Sequence, residues 1–189
     1  MKPTLSIILP TLGRDSLKRT LETIPSLPEV EVVLIGDGIN ETLLPISQHH
    51  ERVVVARHPR SGDCGYSARN LGLVAATGEW VTFIDDDDYY APEGVNRILE
   101  YCQSARYGLP AVFKMMRMSF NDCLWHKPQL ALGNQGLQQF VCRNRPEHPR
   151  FGTFYTADFN FMQMVACMAG ECNFREELTV VMPMQHLGK

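Results

Sequence analysis

Four aspartates in a row, Asp85 to Asp88, follow the apolar run Trp80-Val-Thr-Phe-Ile84. Adjacent carboxylates repel one another, and more strongly where water is scarce. A chain that delivers them to the end of a buried strand needs a cation or a set of hydrogen-bond donors there. In an extended segment residues two apart share a face. Asp85 and Asp87 are therefore expected on one side, with Asp86 and Asp88 on the other. Hard divalent cations such as Mg²⁺ or Mn²⁺ take oxygen ligands and often share them with substrate phosphates. The chemistry suggested is a metal–diphosphate site. The competing readings are a solvated acidic turn, or side chains that cap a helix near Pro92 or pair with a basic loop.

The surrounding pattern says what must position these groups. Leu5 to Leu9 reads as a first strand, ended by Pro10-Thr-Leu-Gly13. Asp15 or Ser16 can cap a helix running to Ile24, with Leu17, Leu21 and Ile24 at helical spacing. Strands are expected at Val30 to Ile35, stopped by Gly36-Asp-Gly38, at Arg52 to Ala56, and at Trp80 to Ile84. A helix at Ser67 to Ala76 carries Leu71 and Ala75 on one face, and another follows Pro92 to about Ala105. This alternation implies an α/β fold, a mostly parallel sheet with helices on both faces. Further along, strands are expected at Ala111 to Met118, Gln138 to Cys142 and Leu178 to Met182, and a helix at Thr156 to Ala169. Asn121 to Gly136 reads as a loop, and Arg143 to Arg150 as a basic surface loop. Pro10, Thr11, Arg14, Asp37 and the aspartate run all follow the C-terminal ends of expected strands. In an open parallel sheet ligands bind outside those ends, so three separate segments are expected to converge on one cleft.

Bulk properties narrow the class. At 189 residues the chain is long enough for one domain with a substantial core. Its net charge of −3 argues against a general nucleic-acid binder. The six cysteines show no CxxC pair and no metal-ligand spacing, which fits free thiols in a reducing compartment. No stretch has signal-peptide character or membrane-spanning length, so a cytoplasmic protein is expected.

Taken together, the segments resemble the GT-A-fold glycosyltransferases, in particular the large, mostly inverting family 2. The resemblance is carried by Ser6-Ile-Ile-Leu-Pro-Thr-Leu-Gly-Arg14, Val33-Leu-Ile-Gly-Asp-Gly38, Gly65-Tyr-Ser-Ala-Arg-Asn-Leu-Gly72 and Thr77-Gly-Glu-Trp-Val-Thr-Phe-Ile-Asp-Asp-Asp-Asp88. It covers residues 4 to about 95 in register and continues thinly to Ala157-Asp158 and His186. It implies one GT-A domain over residues 1–189, with a nucleotide-sugar-binding half at 1–95 and an acceptor half at 96–189. Two positions depart from the family pattern. Gly36 stands where a second acidic residue is common, and Ala157 stands where Glu commonly precedes Asp.

The resemblance also implies roles. Asp85 and Asp87, the D-x-D pair, hold a divalent metal (Mn²⁺ or Mg²⁺) and the donor's ribose or diphosphate, with Asp87 the direct ligand. Asp86 lies in the same donor-binding run. Asp37 bonds the nucleobase, expected to be uracil, and Pro10 and Thr11 line that pocket. Arg69 and Arg14 grip the diphosphate, or pair with the aspartates instead. Asp158 is the candidate general base for an inverting transfer, or an acidic residue favoured by a helix N-terminus. His186 closes over the metal or diphosphate. The expected partners are a UDP-sugar and a glycan or other hydroxyl acceptor. Trp125, Phe151, Phe154 and Tyr155 are candidates to stack on a sugar or to anchor the core. Arg143 to Arg150 could dock an anionic acceptor, even a modified nucleic acid, and an oligomer could complete the acceptor side. The alternative function is a nucleotide-sugar-binding protein or subunit that does not transfer on its own.

Overall fold

The computed structural model describes residues 2–38, 53–105 and 108–183. Among these residues nine strands form one sheet: β1 (Leu5–Thr11), β2 (Val30–Asp37), β3 (Val53–His58), β4 (Trp80–Phe83), β5 (Tyr89–Tyr90), β6 (Ala111–Arg117), β7 (Asp122–Leu124), β8 (Phe140–Arg143) and β9 (Asn173–Met182). The order is β3-β2-β1-β4-β8-β6-β9-β5, with β7 on β6. β1 to β4 pair in parallel, β8 runs antiparallel between β4 and β6, and β9 is parallel to β6. Six strands thus share one direction, and β5, β7 and β8 oppose them. The expected α/β architecture is present.

Alternation along the strands builds the two sides. Leu5, Ile7 and Leu9 enter one core with Leu17 and Leu21 of helix α1 (Ser16–Glu22), with Ile24 just beyond that helix, and with Val95, Ile98 and Leu99 of α3 (Gly94–Ser104). Ile8, Val33 and Ile35 enter the other with Ala68 and Leu73 of α2 (Tyr66–Ala75) and with Phe161, Met162 and Val165 of α4 (Ala157–Ala169). Both faces are therefore covered, which is why β1 and β2 read as continuous apolar runs. The buried side of α2 centres on Ala68, Gly72 and Leu73; Leu71 and Ala75, expected to lead that face, are only partly buried. Gly72 lets the helix approach β1 closely, since a Cβ there would lie 2.4 Å from Ile8 Cγ2.

At the N-terminal ends of the strands, away from the cleft, buried Glu31 accepts from Ser6 Oγ, from the Thr77 amide at 2.8 Å and from Thr77 Oγ1 at 2.6 Å. Ser6 Oγ in turn accepts from the Gly78 amide at 2.8 Å. This ties the start of β1 to the turn that leads into β4.

Three expectations are corrected. β7 lies inside the segment read as loop, β5 was not foreseen, and β9 starts at Asn173 rather than Leu178. Leu178 follows the polar stretch Asn173-Phe-Arg-Glu-Glu177, whose side chains are largely exposed or half-exposed, so no apolar alternation marks the strand there. No helix among the described residues is long and apolar enough to cross a membrane.

Candidate active site

β1, β2 and β4 end side by side, and their C-terminal ends open into a cleft of about 400 Å³. Its lining includes Pro10 and Thr11 at the end of β1 and Arg14 just beyond it, Asp37 at the end of β2, Arg69 on α2 and Asp85 to Asp88 after β4. The expected convergence of three segments is what the sheet produces.

The aspartate run is a turn, not a strand extension. The Asp88 amide donates to the Asp85 carbonyl at 3.2 Å. The simple alternation therefore fails, and one oxygen from each of Asp85, Asp87 and Asp88 falls within 4.8 Å of the others. Asp88, assigned to the far side by alternation, belongs with Asp85 and Asp87. Asp86 is the one that turns away. Its Oδ2 accepts from the Thr11 hydroxyl at 2.7 Å and the Leu12 amide at 3.0 Å, and its Oδ1 from Arg14 Nη1 at 2.9 Å. Asp86 thus clamps the end of β1 to the turn, and both its oxygens are occupied. Neither Asp86 nor Asp88 caps the next helix, which starts from Glu93 without a side-chain cap.

Arg14 and Arg69 are both paired with the run. Arg14, half-exposed, bridges Asp86 and Asp87, reaching Asp87 Oδ2 at 2.8 Å. Arg69 is buried, donates to Asp85 Oδ1, and gives a second bond to the Cys64 carbonyl at 2.7 Å. Burial alone would lower the Arg69 pKa, but Asp85, Asp158 and Tyr66 together outweigh it and keep the guanidinium charged. The structure therefore pairs both arginines with the aspartates, the alternative weighed against diphosphate binding, while leaving them in the cleft wall. Asp63 accepts from the Ser67 amide at 2.9 Å and starts α2 at the place that brings Arg69 to Asp85. Gly65 precedes it at φ 79°, 3.2 Å (as a built Cβ) from Arg69 Nη1, where a side chain would be strained and crowded.

One residue of this site carries no sequence signal. Gln138, on the 3₁₀ turn Leu137–Gln139 before β8, donates Nε2 to Asp85 Oδ2 at 2.7 Å and to Asp88 Oδ2 at 3.0 Å. A lone glutamine outside any motif gives no reason to single it out. Arg60, Gly62 and Cys64 also line the cleft from the loop before α2.

The titration of the run shows how short it is of positive charge. Burial, then Asp85 and Asp87, push the Asp88 carboxyl up to about 8, against the opposing Gln138 bond. Burial and Asp85 also raise Asp87, though Arg14 opposes them. Three hard oxygen donors, packed together and under-neutralised by two arginines, fit a hard divalent cation. His186 lies outside the described residues.

Asp37 is buried at the end of β2, where its Oδ1 accepts from the Ser61 amide at 3.3 Å. Asp158 sits in the first turn of α4, and its Oδ1 is buried without a hydrogen-bond partner. Burial raises it to about 6; Arg69 pulls it down and Asp85 pushes it up, so it shares a field with the carboxylate run. Of the aromatic candidates, Trp125 and Phe151 are core residues, whereas Phe154 and Tyr155 are exposed.

The profile of glycosyl transferase family 2 matches residues 6–164. Validoxylamine A glucosyltransferase of Streptomyces hygroscopicus subsp. limoneus is 33% identical over 105 residues, covering 51% of this chain and 23% of that protein. Chondroitin synthase of Pasteurella multocida is 38% identical over 90 residues, covering 44% of this chain and 9% of that protein. The chain thus spans about a quarter or less of these two relatives. Among solved structures, S. aureus TarS 1-349 in complex with UDP-GlcNAc superposes with a TM-score of 0.76 at 19% identity, over 98% of this chain and 60% of that one. A longer TarS chain gives 0.74 at 17% identity, over 94% of this chain and 36% of that one. The profile spans both the aspartate turn and Asp158, and the superpositions cover nearly the whole chain: the chain has the GT-A fold and belongs to glycosyl transferase family 2.

Proposed function

We propose that the chain moves a sugar from a UDP-sugar to a hydroxyl acceptor with inversion, using Mn²⁺ or Mg²⁺, and that residues 1–189 act as one transferase unit. The observation that carries this is the convergence of Asp85, Asp87 and Asp88 on one point of the cleft that Asp37 and Arg69 also line. The TarS complexes with UDP and UDP-GlcNAc, on the same fold, support the choice of donor.

In this reading the uracil lies against Pro10, Thr11 and Asp37, and the diphosphate lies toward Arg14, Arg69 and the carboxylates. Asp85, Asp87 and Asp88 would hold the cation, which when bound supplies positive charge against the leaving diphosphate. Arg69 and Gln138 fix the orientation of Asp85, the support that ligating carboxylates need. Asp158 takes the acceptor proton. With its carboxyl raised to about 6, it is ionised at neutral pH and still basic enough to be effective. The acceptor oxygen bonds to the anomeric carbon as its proton passes to Asp158. The bond from that carbon to the diphosphate oxygen breaks, and UDP leaves with the electron pair. Attack from the face opposite UDP inverts the centre.

The second reading, a nucleotide-sugar-binding subunit without transfer of its own, is favoured by Ala157, which replaces the family's usual Glu beside Asp158. For an anionic acceptor at Arg143 to Arg150, only part of the charge is free: Arg143 already pairs with Glu79 at 3.0 Å.

The test is calorimetry of UDP and GDP binding, with and without Mn²⁺, on wild type and Asp87→Ala. Mn²⁺-dependent UDP binding that Asp87→Ala abolishes is the expected result. Binding of neither nucleotide under any condition overturns the proposal. UDP binding without turnover on any sugar donor and acceptor pair selects the second reading.

A further inference from the structure

Asn70 stands inside α2, next to Arg69, although asparagine is a poor helix-interior residue. Both ends of its side-chain amide are used at one distant point. Its Nδ2 donates to the Phe151 carbonyl at 2.9 Å, and its Oδ1 accepts from the Phe151 amide at 2.9 Å. Phe151 belongs to no helix or strand, so Asn70 serves it as a strand neighbour would, satisfying both backbone groups of one residue. The Phe151 ring carries the connection onward. It stacks on Tyr66 of α2 at 6.0 Å and on Phe161 of α4 at 4.2 Å. Phe83 of β4, two residues before Asp85, meets Phe151 and Phe161 edge-on at 5.5 and 5.6 Å. Tyr66 also donates its hydroxyl to the Tyr155 carbonyl at 3.4 Å. Helix α2 thus grips the entry to α4 at Phe151 and Tyr155, and Phe161 lies one turn beyond Asp158.

Arg69, between the two gripping residues of α2, pairs with Asp85. It also acts on Asp158: burial raises the Asp158 carboxyl, Arg69 opposes that rise and Asp85 adds to it, with Tyr66 the other titratable group in this field. Yet Asp158 Oδ1 and Arg69 Nε are both buried with no hydrogen-bond partner. Opposite charges in a buried setting attract strongly, and pairing would satisfy both atoms. A stiff attachment of the backbone on either side resists that closure, and the double bond from Asn70 to Phe151 is such an attachment.

We propose that Asn70 is a positioning residue for the transfer: by clipping Phe151 to α2 it holds the entry to α4 so that Asp158 stays unpaired near Arg69 and free to take the acceptor proton. This rests on the transfer reading above, in which Asp158 is the base. A carboxylate paired with a guanidinium is a weaker base, so the clip preserves reactivity as well as place. Without the clip, water reaches Asp158 or Asp158 closes on Arg69, and both lower its affinity for a proton. An asparagine that merely held the loop would leave Asp158 unmoved.

The test is carboxyl carbon-13 NMR on the full chain labelled at aspartate, in EDTA, with the Asp158 signal assigned through Asp158→Asn. Wild type is compared with Asn70→Ala, with the milder Asn70→Ser, and with Glu31→Ala, which loosens the protein at the far ends of the strands. UDP affinity in Mn²⁺ is measured by calorimetry on each. Wild-type Asp158 should titrate near 6. Both Asn70 variants should bring it down by about one pH unit or more and keep UDP affinity within about three-fold. If only Asn70→Ser folds, it alone decides. An unmoved Asp158 in the Asn70 variants overturns the proposal. So does an equal fall in Glu31→Ala, a parallel loss of UDP affinity in the Asn70 variants, or a wild-type Asp158 that already titrates in the ordinary carboxylate range. Wild type that binds no UDP overturns the donor reading instead, while the Asp158 titration still decides the clip.

Discussion

Asp158→Asn tests the proposed base through stability as well as turnover. The wild-type carboxyl is raised from 3.8 to about 6, chiefly by burial, and its Oδ1 has no hydrogen-bond partner. The folded state then holds the proton more tightly than the unfolded state. Wild type is accordingly favoured below the unfolded value, loses stability as pH rises through the folded value, and levels off above it. A gap of about two pH units at about 1.4 kcal/mol each gives a loss of about 3 kcal/mol. Asparagine cannot ionise and escapes it. The stability of Asp158→Asn relative to wild type should therefore climb by about 2–3 kcal/mol between pH 4 and 7 and stay flat from 7 to 8. Urea denaturation in EDTA, followed by the fluorescence of buried Trp80 and Trp125, reads this directly. Transfer by the variant should fall by about 10²- to 10⁴-fold, and the wild-type rate should show an acid limb near pH 6. A difference that moves by less than about 0.5 kcal/mol across the range refutes the argument. Retention of wild-type turnover in the variant refutes the base assignment.

Three other perturbations follow from the same contacts. Gln138→Leu removes the amide that bridges Asp85 and Asp88; Mn²⁺ affinity, read by calorimetry, should drop about 10-fold or more as that support is lost. Glu31→Ala strands the buried Ser6 hydroxyl and removes the acceptor of the more exposed Thr77 amide and hydroxyl; it should cost about 1–3 kcal/mol in urea denaturation and leave UDP affinity unchanged. Gly65→Ala places a methyl against Arg69 Nη1 at positive φ; it should lower stability by about 1–2 kcal/mol and weaken UDP binding together, and a loss of one without the other would contradict the packing described here.

The donor side was legible because its elements are local. Strands β1, β2 and β4 are apolar runs that end at Pro10, Gly36 and the aspartates, and those ends form the cleft edge. The internal layout of the aspartate run was not legible. Alternation holds only while the chain stays extended, and the hydrogen bond from the Asp88 amide to the Asp85 carbonyl bends it into a turn. The far side was harder still. β5 is two residues long and exists through its pairing with β9, and β7 exists through its pairing with β6. The first half of β9 has too many charged side chains to look like a strand. Gln138 depends on a contact 53 residues away in sequence, which no local pattern encodes.

The antiparallel strand β8 has a consequence for handling the protein in pieces. It is the strand that pairs with β4 on the side away from β1. A fragment ending near residue 95 would keep the donor-side motifs but uncover the Trp80-Val-Thr-Phe83 edge. Unpaired amides and carbonyls beside large apolar side chains make such an edge a template for another chain. The fragment should self-associate through that edge, and it would lack Gln138 to hold Asp85 and Asp88 together. The two halves of the sheet are therefore not separable modules: the strand that seals the donor half against aggregation is the same one whose entry turn organises its carboxylates.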